Sequence, residues 1–265
     1  MSTSFLESVV TARKGAIDLA YGALRPADLE LLAASAARPR DFIGALVGRS
    51  DVAVIAEVKK ASPSAGPIAP ECEASMQALR YEDGGAACVS VLCEPRYFGG
   101  SFTDLSDVSD AVTIPVLAKD FVVDPVQLYV ARGHGADAVL LMVSVLGDSL
   151  RDYLDLAGTL GLSSLVEVHD QAELDIALSA RAKLIGVNSR NLKTLAVAPE
   201  KVAPVIASAK AAGATVVAES GIRTRGSVEA ASAHGADAVL VGESLMRTQF
   251  PEEVLTELTG VPKSP

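Results

Sequence analysis

Charged and amide side chains recur at the ends of short apolar runs in this sequence, and their types suit acid–base chemistry. The first run ends in Glu57-Val58-Lys59, and later ones end in Lys119-Asp120, Glu167, Asn188-Ser189-Arg190 and Glu219-Ser220. A carboxylate can remove a proton, an ammonium can donate one, and lysine and arginine can also bind an anionic substrate. Structural ion pairs are the alternative for each residue alone. Together, side chains of these types predict a catalytic site, because buried charges without partners or a function destabilise the fold.

The apolar runs number eight and consist almost entirely of valine, isoleucine, leucine and alanine. They are Asp51–Val58, Ala86–Leu92, Ile114–Leu117, Asp137–Val143, Ser164–Val168, Lys183–Val187, Thr215–Ala218 and Asp237–Val241. Such uninterrupted runs are typical of parallel strands buried on both faces. The intervening segments Pro125–Arg132, Leu150–Leu160 and Glu173–Ser179 have the three- and four-residue spacing of helices. Asp170 and Glu173 resemble a capping box at a helix start.

Strand and helix alternating eight times leaves two architectures, an open doubly wound sheet or a closed barrel. We favour a (β/α)8 TIM barrel, an α/β fold, because the count is eight and because the heptapeptide HGADAVL occurs at both His134–Leu140 and His234–Leu240. Convergence on a common turn would also explain this repeat. The prediction is one domain, residues 1–265, in which 1–50 form a helical N-terminal extension capping one barrel end. Its helices are predicted at Ser4–Ala20, Ala27–Ala36 and Asp41–Val47, and a frayed tail at Val261–Pro265.

Composition excludes several classes of protein. The net charge of −10 and the lack of a lysine/arginine block argue against nucleic-acid binding. No apolar run reaches the roughly 18 residues of a membrane helix, and no signal peptide is recognisable. Cys72, Cys88 and Cys93 suggest neither a disulfide framework nor a zinc site, so we expect a cytoplasmic protein without a metal. His134 and His234 are expected to lie away from the site, whereas His169 follows Glu167 and could support it.

In barrels of this kind the C-terminal strand ends form the active site, and the last two loops bind phosphate. The two corresponding segments here are Ser220-Gly221-Ile222 and Gly242-Glu243-Ser244. Glycine lets backbone N–H groups approach an oxyanion, although it also marks ordinary turns. An anionic substrate needs such a local site because the overall negative charge of the chain opposes it.

Eight segments, in order along nearly the whole chain, resemble the motifs of indole-3-glycerol-phosphate synthases of tryptophan biosynthesis. They are Glu57–Ser64, Tyr97–Ser101, Lys119–Phe121, Leu165–His169, Gly186–Asn188, Arg190–Leu192, Ala218–Ile222 and Val241–Met246. Each motif is short, but the ordered set is specific to this family.

The resemblance implies a carboxy-lyase that converts 1-(2-carboxyphenylamino)-1-deoxyribulose 5-phosphate to indole-3-glycerol phosphate, carbon dioxide and water, without a cofactor. Lys119 would protonate the carbonyl oxygen, and we expect neighbouring cations to lower its pKa. Lys59 and Arg190 would bind the substrate carboxylate. Glu167 would be the base of the final dehydration, and either lysine could supply its acid.

The resemblance assigns the remaining polar residues to binding. Glu57 would orient Lys59 or Lys119 and, with Asn188 and Glu219, bind substrate hydroxyls. The phosphate ligands would be Ser62, Ser220, Gly221, Gly242, Glu243 and Ser244, the last five largely through backbone groups. The Glu243 side chain must then point away, because a carboxylate beside a phosphate is repelled.

Two positions depart from the family pattern: Ala65 stands where lysine is frequent, and Ser189 where a second asparagine is frequent. Gly66 and Pro67 bound a hinge that would let the first loop close as a lid. Other enzymes of the tryptophan pathway are candidate partners. The alternatives are a phosphoribosylanthranilate isomerase-like sugar-phosphate barrel, which would place cysteine and aspartate at the first and sixth strand ends, and a non-catalytic paralogue.

Overall fold

Eight parallel strands form a closed barrel in the computed structural model, which describes residues 4–191 and 195–264. The strands are β1 Ala53–Val58, β2 Cys88–Leu92, β3 Val116–Lys119, β4 Ala138–Met142, β5 Ser163–Val168, β6 Leu184–Asn188, β7 Thr215–Glu219 and β8 Ala238–Val241. Each strand pairs with the next in the chain, and β8 pairs back onto β1 from Ala238 beside Ala53 to Val241 beside Ala56. The predicted TIM barrel is therefore confirmed, and an open sheet is excluded.

Helices surround the barrel and connect its strands. They are α1 Phe5–Tyr21, α2 Pro26–Ser35, α3 Phe42–Val47, α4 Ala74–Asp83, α5 Pro95–Phe98, α6 Phe102–Ala111, α7 Val126–Gly133, α8 Val143–Leu146, α9 Leu150–Thr159, α10 Gln171–Ser179, α11 Pro199–Ala211, α12 Arg225–Ala233, α13 Glu243–Met246 and α14 Pro251–Leu258. Within the described part of the chain, none of these helices is long and apolar enough to cross a membrane.

The core has two layers because a strand points alternate side chains to its two faces. Inward-facing residues such as Ile55, Leu117 and Leu165 fill the barrel, and outward-facing residues such as Val54 and Val166 pack under the helices. Both sets are buried, which explains why the runs do not alternate with polar residues.

Strand β3 runs two residues farther than its predicted end at Leu117. Pro115 has no N–H to donate, and the ladder begins at Val116, whose N–H donates to the Asp137 carboxylate at 2.7 Å. The strand consequently ends at Lys119, which places this ammonium directly on the barrel rim.

The two copies of HGADAVL occupy equivalent places four strands apart. In each, the aspartate lies directly before a strand and accepts an N–H from the start of the preceding strand: Asp137 from Val116, the first residue of β3, at 2.7 Å, and Asp237 from Val216, the second residue of β7, at 3.0 Å. The repeated aspartate thus has one structural role in both halves of the barrel.

The N-terminal helices do more than cap one end. Helix α3 covers the N-terminal end of the barrel, where Phe42 and Leu46 pack with Ala53. Helix α1 instead reaches the opposite, C-terminal rim, where Arg13 Nε donates to Asp120 Oδ1 at 2.9 Å. The expectation that the extension caps a single end is therefore wrong, because a buried ion pair holds α1 beside the strand ends.

The predicted frayed tail is also wrong for the described residues up to Ser264. Val261 is buried and accepts the Val52 N–H at 2.7 Å, and Lys263 Nζ donates to Leu46 O at 2.8 Å. The tail is ordered because it satisfies backbone groups at the start of β1 and the end of α3. Pro265, and Leu192 of the Arg190–Leu192 motif, lie outside the described residues.

Candidate active site

A cavity of about 450 Å³ opens at the C-terminal rim of the barrel. Of the residues that the sequence placed in the site, it is lined by Glu57, Lys59, Lys119, Glu167, Asn188, Arg190, Ser220, Gly221, Gly242, Glu243 and Ser244. Strand geometry brings them together, because the carboxyl ends of parallel strands meet at one rim of the barrel.

Alternating ammonium and carboxylate groups cross this cavity. Lys59 Nζ lies 2.7 Å from Glu57 Oε1, and Lys119 Nζ lies 3.2 Å from Glu57 Oε2. Lys119 Nζ also donates to Glu219 Oε2 at 2.9 Å. Glu57 therefore holds both lysines, where the sequence had left open which of the two it orients.

The ionisation of these groups follows from their neighbours. Burial by itself would raise the pKa of Glu57, but the ammonium groups of Lys119 and Lys59 outweigh it and lower that pKa to about 2. Burial would lower the pKa of Lys119, but the carboxylates of Glu219, Glu57 and Glu167 outweigh it and raise that pKa well above its ordinary value. The expectation that cations lower the Lys119 pKa is wrong, because three carboxylates surround this ammonium.

Glu219 is the carboxylate that is hardest to ionise. Burial, reinforced by the negative charge of Glu167 and opposed by Lys119, raises its pKa to about 7. Its Oε1 is buried and has no hydrogen-bond partner among the described residues. That oxygen lies over Gly186 in β6, where any Cβ would overlap it. Gly186 thus gives Glu219 the space to reach Lys119.

Glu167 is the second-to-last residue of β5 and is 2% exposed. Its Oε1 lies 3.4 Å from Nε2 of His169, and Nδ1 of the same ring lies 3.0 Å from Glu173 Oε2 at the start of α10. The expected capping box is only half formed: Asp170 accepts the Glu173 N–H at 2.9 Å, whereas the Glu173 carboxylate bonds to His169. Sequence patterning could suggest His169 only through its proximity to Glu167.

Asn188 is held by its carbonyl end. Its Oδ1 accepts from Ser220 Oγ at 2.8 Å and from the Arg190 N–H at 3.0 Å. The side-chain amide N–H groups are left to face a ligand. Ser189 is buried, and its Oγ donates to Ser220 O at 3.1 Å, so this departure from the family pattern braces the loop after β7.

The loops after β7 and β8, where the sequence predicts an anion site, both border the cavity. Ser220 and Gly221 both adopt left-handed backbone conformations, with φ values of 64° and 80°. Ser244 Oγ is buried without a hydrogen-bond partner among the described residues. Glu243 Oε1 bonds to Arg247 Nε at 3.0 Å, consistent with a side chain directed toward Arg247.

Gly242 has a second role that the sequence did not reveal. A Cβ at this position would overlap Glu57 Oε1 and lie 3.1 Å from Lys59 Nζ. A glycine in the loop after β8 is therefore required for the Glu57–Lys59 pair on β1, which is the neighbouring strand in the closed barrel.

Ser62 is not among the residues that line the cavity. It pairs with Gly66 in a short antiparallel hairpin, and its Oγ accepts the Ala65 N–H at 3.2 Å within that loop. The hydroxyl accepts within the turn but keeps its own proton to donate, so phosphate binding by Ser62 stays a prediction.

Several cavity residues were missed by the sequence analysis. Phe98 and Phe121 face one another with ring centroids 6.0 Å apart, and the inward side chains of β2, β4 and β8 add an apolar floor. Arg223, after β7, adds a cation beside the loop of Gly221. Apolar residues give no distinctive signal in a sequence that is 49% hydrophobic.

Residues 4–191 and 195–264 contain no group of side chains that could bind a metal ion. No three carboxylate, imidazole or thiol groups there are arranged to hold a metal ion.

The fold and site define a (β/α)8-barrel enzyme with ammonium and carboxylate groups at the C-terminal rim of the barrel. The sequence profile of the indole-3-glycerol phosphate synthase family matches residues 6–258. The indole-3-glycerol phosphate synthase of Paenarthrobacter aurescens is 43% identical over 257 residues, covering 95% of this chain and 94% of that one. Indole-3-glycerol phosphate synthase 1 of Streptomyces coelicolor is 47% identical and covers 90% of this chain and 88% of that one. The chain belongs to the indole-3-glycerol phosphate synthase family.

A solved structure shares the fold alone. Thiamine phosphate pyrophosphorylase from Pyrococcus furiosus is 18% identical, with a TM-score of 0.58 over 78% of this chain and 93% of that chain.

The family match and the presence of Glu57, Lys59 and Asn188 at the strand ends disfavour the isomerase alternative.

Proposed function

We propose that this protein is a carboxy-lyase that closes the indole ring of 1-(2-carboxyphenylamino)-1-deoxyribulose 5-phosphate, giving indole-3-glycerol phosphate, carbon dioxide and water. The observation that carries the proposal is the position of Lys119 Nζ, 3.2 Å from Glu57 and 2.9 Å from Glu219 at the wall of the cavity. An ammonium fixed there can reach a bound carbonyl, while the phosphate-binding loops lie across the same rim.

Ring closure begins when the aromatic carbon that bears the carboxylate attacks the ribulose carbonyl carbon. Lys119 stabilises the developing oxyanion and protonates it. Its raised pKa supports this role, since the group stays charged until a strongly basic alkoxide forms beside it. The phenyl ring packs in the apolar part of the cavity, where Phe98 and Phe121 lie on one side and Met142 forms the floor.

Lys59 and Arg190 bind the substrate carboxylate until it leaves as carbon dioxide. Lys59 Nζ is oriented by Glu57 at 2.7 Å, and Arg190 Nη1 is held by Leu195 O at 3.0 Å. The guanidinium keeps further N–H donors for a carboxylate. Loss of carbon dioxide then restores the aromaticity of the ring.

Dehydration completes the reaction. Glu167 removes a proton from the methylene carbon that joins the nitrogen to the former carbonyl carbon. One of the two lysines protonates the hydroxyl on that former carbonyl carbon, which leaves as water while the carbon–carbon double bond of the indole forms. Asn188 binds the substrate hydroxyls. Glu219, which the sequence also assigned to this role, is not among the residues that line the cavity and acts by holding Lys119 Nζ at 2.9 Å. Ser220, Gly221, Gly242 and Ser244 hold the phosphate, with Arg223 as an added cation; Glu243 contributes only its backbone, since Arg247 engages its side chain at 3.0 Å.

The test is the appearance of indole fluorescence when the purified protein is mixed with the carboxyphenylamino-deoxyribulose phosphate. The chain contains no tryptophan, so the background is low. We expect Lys119→Ala and Glu167→Gln to reduce kcat by roughly 100-fold or more. Lys183→Ala and Glu253→Gln change exposed residues outside the cavity and are the matched controls.

Folded wild-type protein that forms no indole product would refute the proposal. Equal losses in the control variants would show that the assay responds to protein quality instead of site chemistry.

The cellular location, the partners and the domain organisation of the protein are part of the same proposal. A net charge of −10 and unpaired Cys72, Cys88 and Cys93 support a cytoplasmic protein that binds neither nucleic acid nor membranes, with other tryptophan-pathway enzymes as candidate partners. Residues 1–265 are proposed to form one domain, for which a single cooperative unfolding transition is the test.

A further inference from the structure

His169 is held in one orientation by Glu173. Glu173 Oε2 lies 2.8 Å from the His169 backbone nitrogen, which donates to it, and 3.0 Å from ring atom Nδ1. A carboxylate only accepts hydrogen bonds, so Nδ1 must carry a proton in every ionisation state of the ring. The second ring nitrogen, Nε2, is thereby left as the atom whose proton can come and go.

That second nitrogen faces Glu167. Nε2 lies 3.4 Å from Glu167 Oε1 and is buried, without a well-aligned hydrogen bond among the described residues. A bare Nε2 lone pair toward a carboxylate would be repulsive, whereas an imidazolium N–H toward it is attractive. The contact therefore favours a charged ring beside the Glu167 carboxylate.

We propose that His169, fixed by Glu173, is a positioning residue that keeps the carboxylate of Glu167 aimed into the cavity for its role as the base. The inference rests on the proposed function, because it assumes that Glu167 removes a proton from the substrate. Neither His169 nor Glu173 lines the cavity, so both act through Glu167.

The charges around the ring agree with this arrangement. Burial would lower the pKa of His169, but the hydrogen bond to Glu173 and the charges of Glu167, Glu173 and Glu219 outweigh it and raise that pKa above 6.5. Strands β4 and β6 and helix α8, which pack against β5, contain no titratable side chain. Helices α9 and α10 also pack against β5: α9 carries the exposed Arg151, Asp152 and Asp155 and the half-buried Tyr153, and α10 carries Glu173 and the exposed Asp175. Among these groups Glu173 contacts the ring, and the carboxylates of Glu167, Glu173 and Glu219 determine the sign of the shift.

The sign of the pH dependence follows. The imidazolium form predominates at low pH and is lost as the pH rises through the raised pKa of His169. We expect kcat to fall over that upper range. Glu173→Gln removes one carboxylate but keeps an acceptor for Nδ1, so this alkaline limb should move to lower pH.

Nuclear magnetic resonance of the three histidine rings tests the inference without using activity. Histidine labelled with ¹⁵N reports both the tautomer and the titration, and the spectrum of His169→Gln assigns the signal. We expect a neutral form protonated at Nδ1, titrating above pH 6.5, and a lower titration midpoint in both Glu173→Gln and Glu167→Gln. Asp175→Asn on the same helix is the matched control and should leave the midpoint unchanged.

Kinetics provide the second measurement. His169→Gln should lower kcat roughly 10- to 100-fold with KM nearly unchanged, since a misaligned base affects chemistry more than binding. A ring protonated at Nε2 when neutral, a midpoint at or below 6.5, or wild-type kcat in His169→Gln would each overturn the inference.

If His169→Gln does not fold, Glu173→Gln still tests the inference through two measurements, the titration midpoint of His169 and the position of the alkaline limb of kcat. A wild-type enzyme without any indole product would instead refute the proposed function, while the tautomer and the midpoint remain measurable.

Discussion

Replacing Gly186 by alanine should disable the site from a buried position outside the cavity lining. An added Cβ would overlap Glu219 Oε1 and lie 3.3 Å from both Glu219 Cδ and Leu165 Cδ1. Leu165 belongs to the filled barrel interior and has little space to yield. The carboxylate of Glu219 must therefore retreat by roughly 1 Å to regain an ordinary contact distance.

Two effects follow from that displacement. Overpacking in a filled core costs about 1–3 kcal/mol of unfolding free energy, which corresponds to about 2–10 °C in Tm for a chain of this size. The 2.9 Å bond between Lys119 Nζ and Glu219 Oε2 is lost, so Lys119 is held by Glu57 alone. Misplacement of a catalytic group by about 1 Å costs up to 100-fold in rate, and we expect kcat to fall about 10- to 100-fold.

Gly158→Ala is the matched control. Gly158 lies inside α9, and an added Cβ there meets nothing within 4 Å. The same substitution should stabilise this helix by about 0.5–1 kcal/mol and leave kcat unchanged. The assays are thermal unfolding followed by circular dichroism and indole fluorescence for kcat and KM.

The reasoning is refuted if Gly186→Ala retains the wild-type Tm and kcat. A lowered Tm with unchanged kcat would refute only the link between Glu219 and Lys119, because it would show that the overlap is relieved without moving the ammonium.

Three other predictions concern stability. Glu219 has a pKa of about 7 in the folded protein against an ordinary 4.5, so its contribution to the free energy of unfolding is complete below pH 4.5 and is lost as the pH rises through 7. The urea midpoint of Glu219→Gln, compared with that of the wild type, should therefore be higher at pH 8 than at pH 5. An identical difference at both pH values would contradict this. Arg13→Ala leaves the buried Asp120 without its ion-pair partner and should cost about 3–5 kcal/mol, measured by urea unfolding; a loss below 1 kcal/mol would be the contrary result. Deleting Val261–Pro265 removes the 2.7 Å bond from Val52 and should lower Tm by several degrees, whereas a frayed tail would be dispensable.

The alternation of strands and helices, and with it the barrel, could be predicted from the sequence. Buried parallel strands need uninterrupted apolar residues, a local property that the eight runs display. The polar residues at their ends could also be placed on one rim, since strand direction alone determines which end they occupy. On that basis the sequence alone places Glu57, Lys119 and Glu167 in the site.

Only the tertiary structure decided how these groups influence one another. The pKa of Lys119 was expected to fall and instead rises, because Coulomb energies depend on distances to carboxylates that are distant in the chain, such as Glu219. The space that Gly186 and Gly242 leave for carboxylates on neighbouring strands is equally non-local. The roles of α1 and of the tail were mispredicted for the same reason: an amphipathic pattern shows which face is buried, but the partner of that face is chosen by packing across the whole barrel.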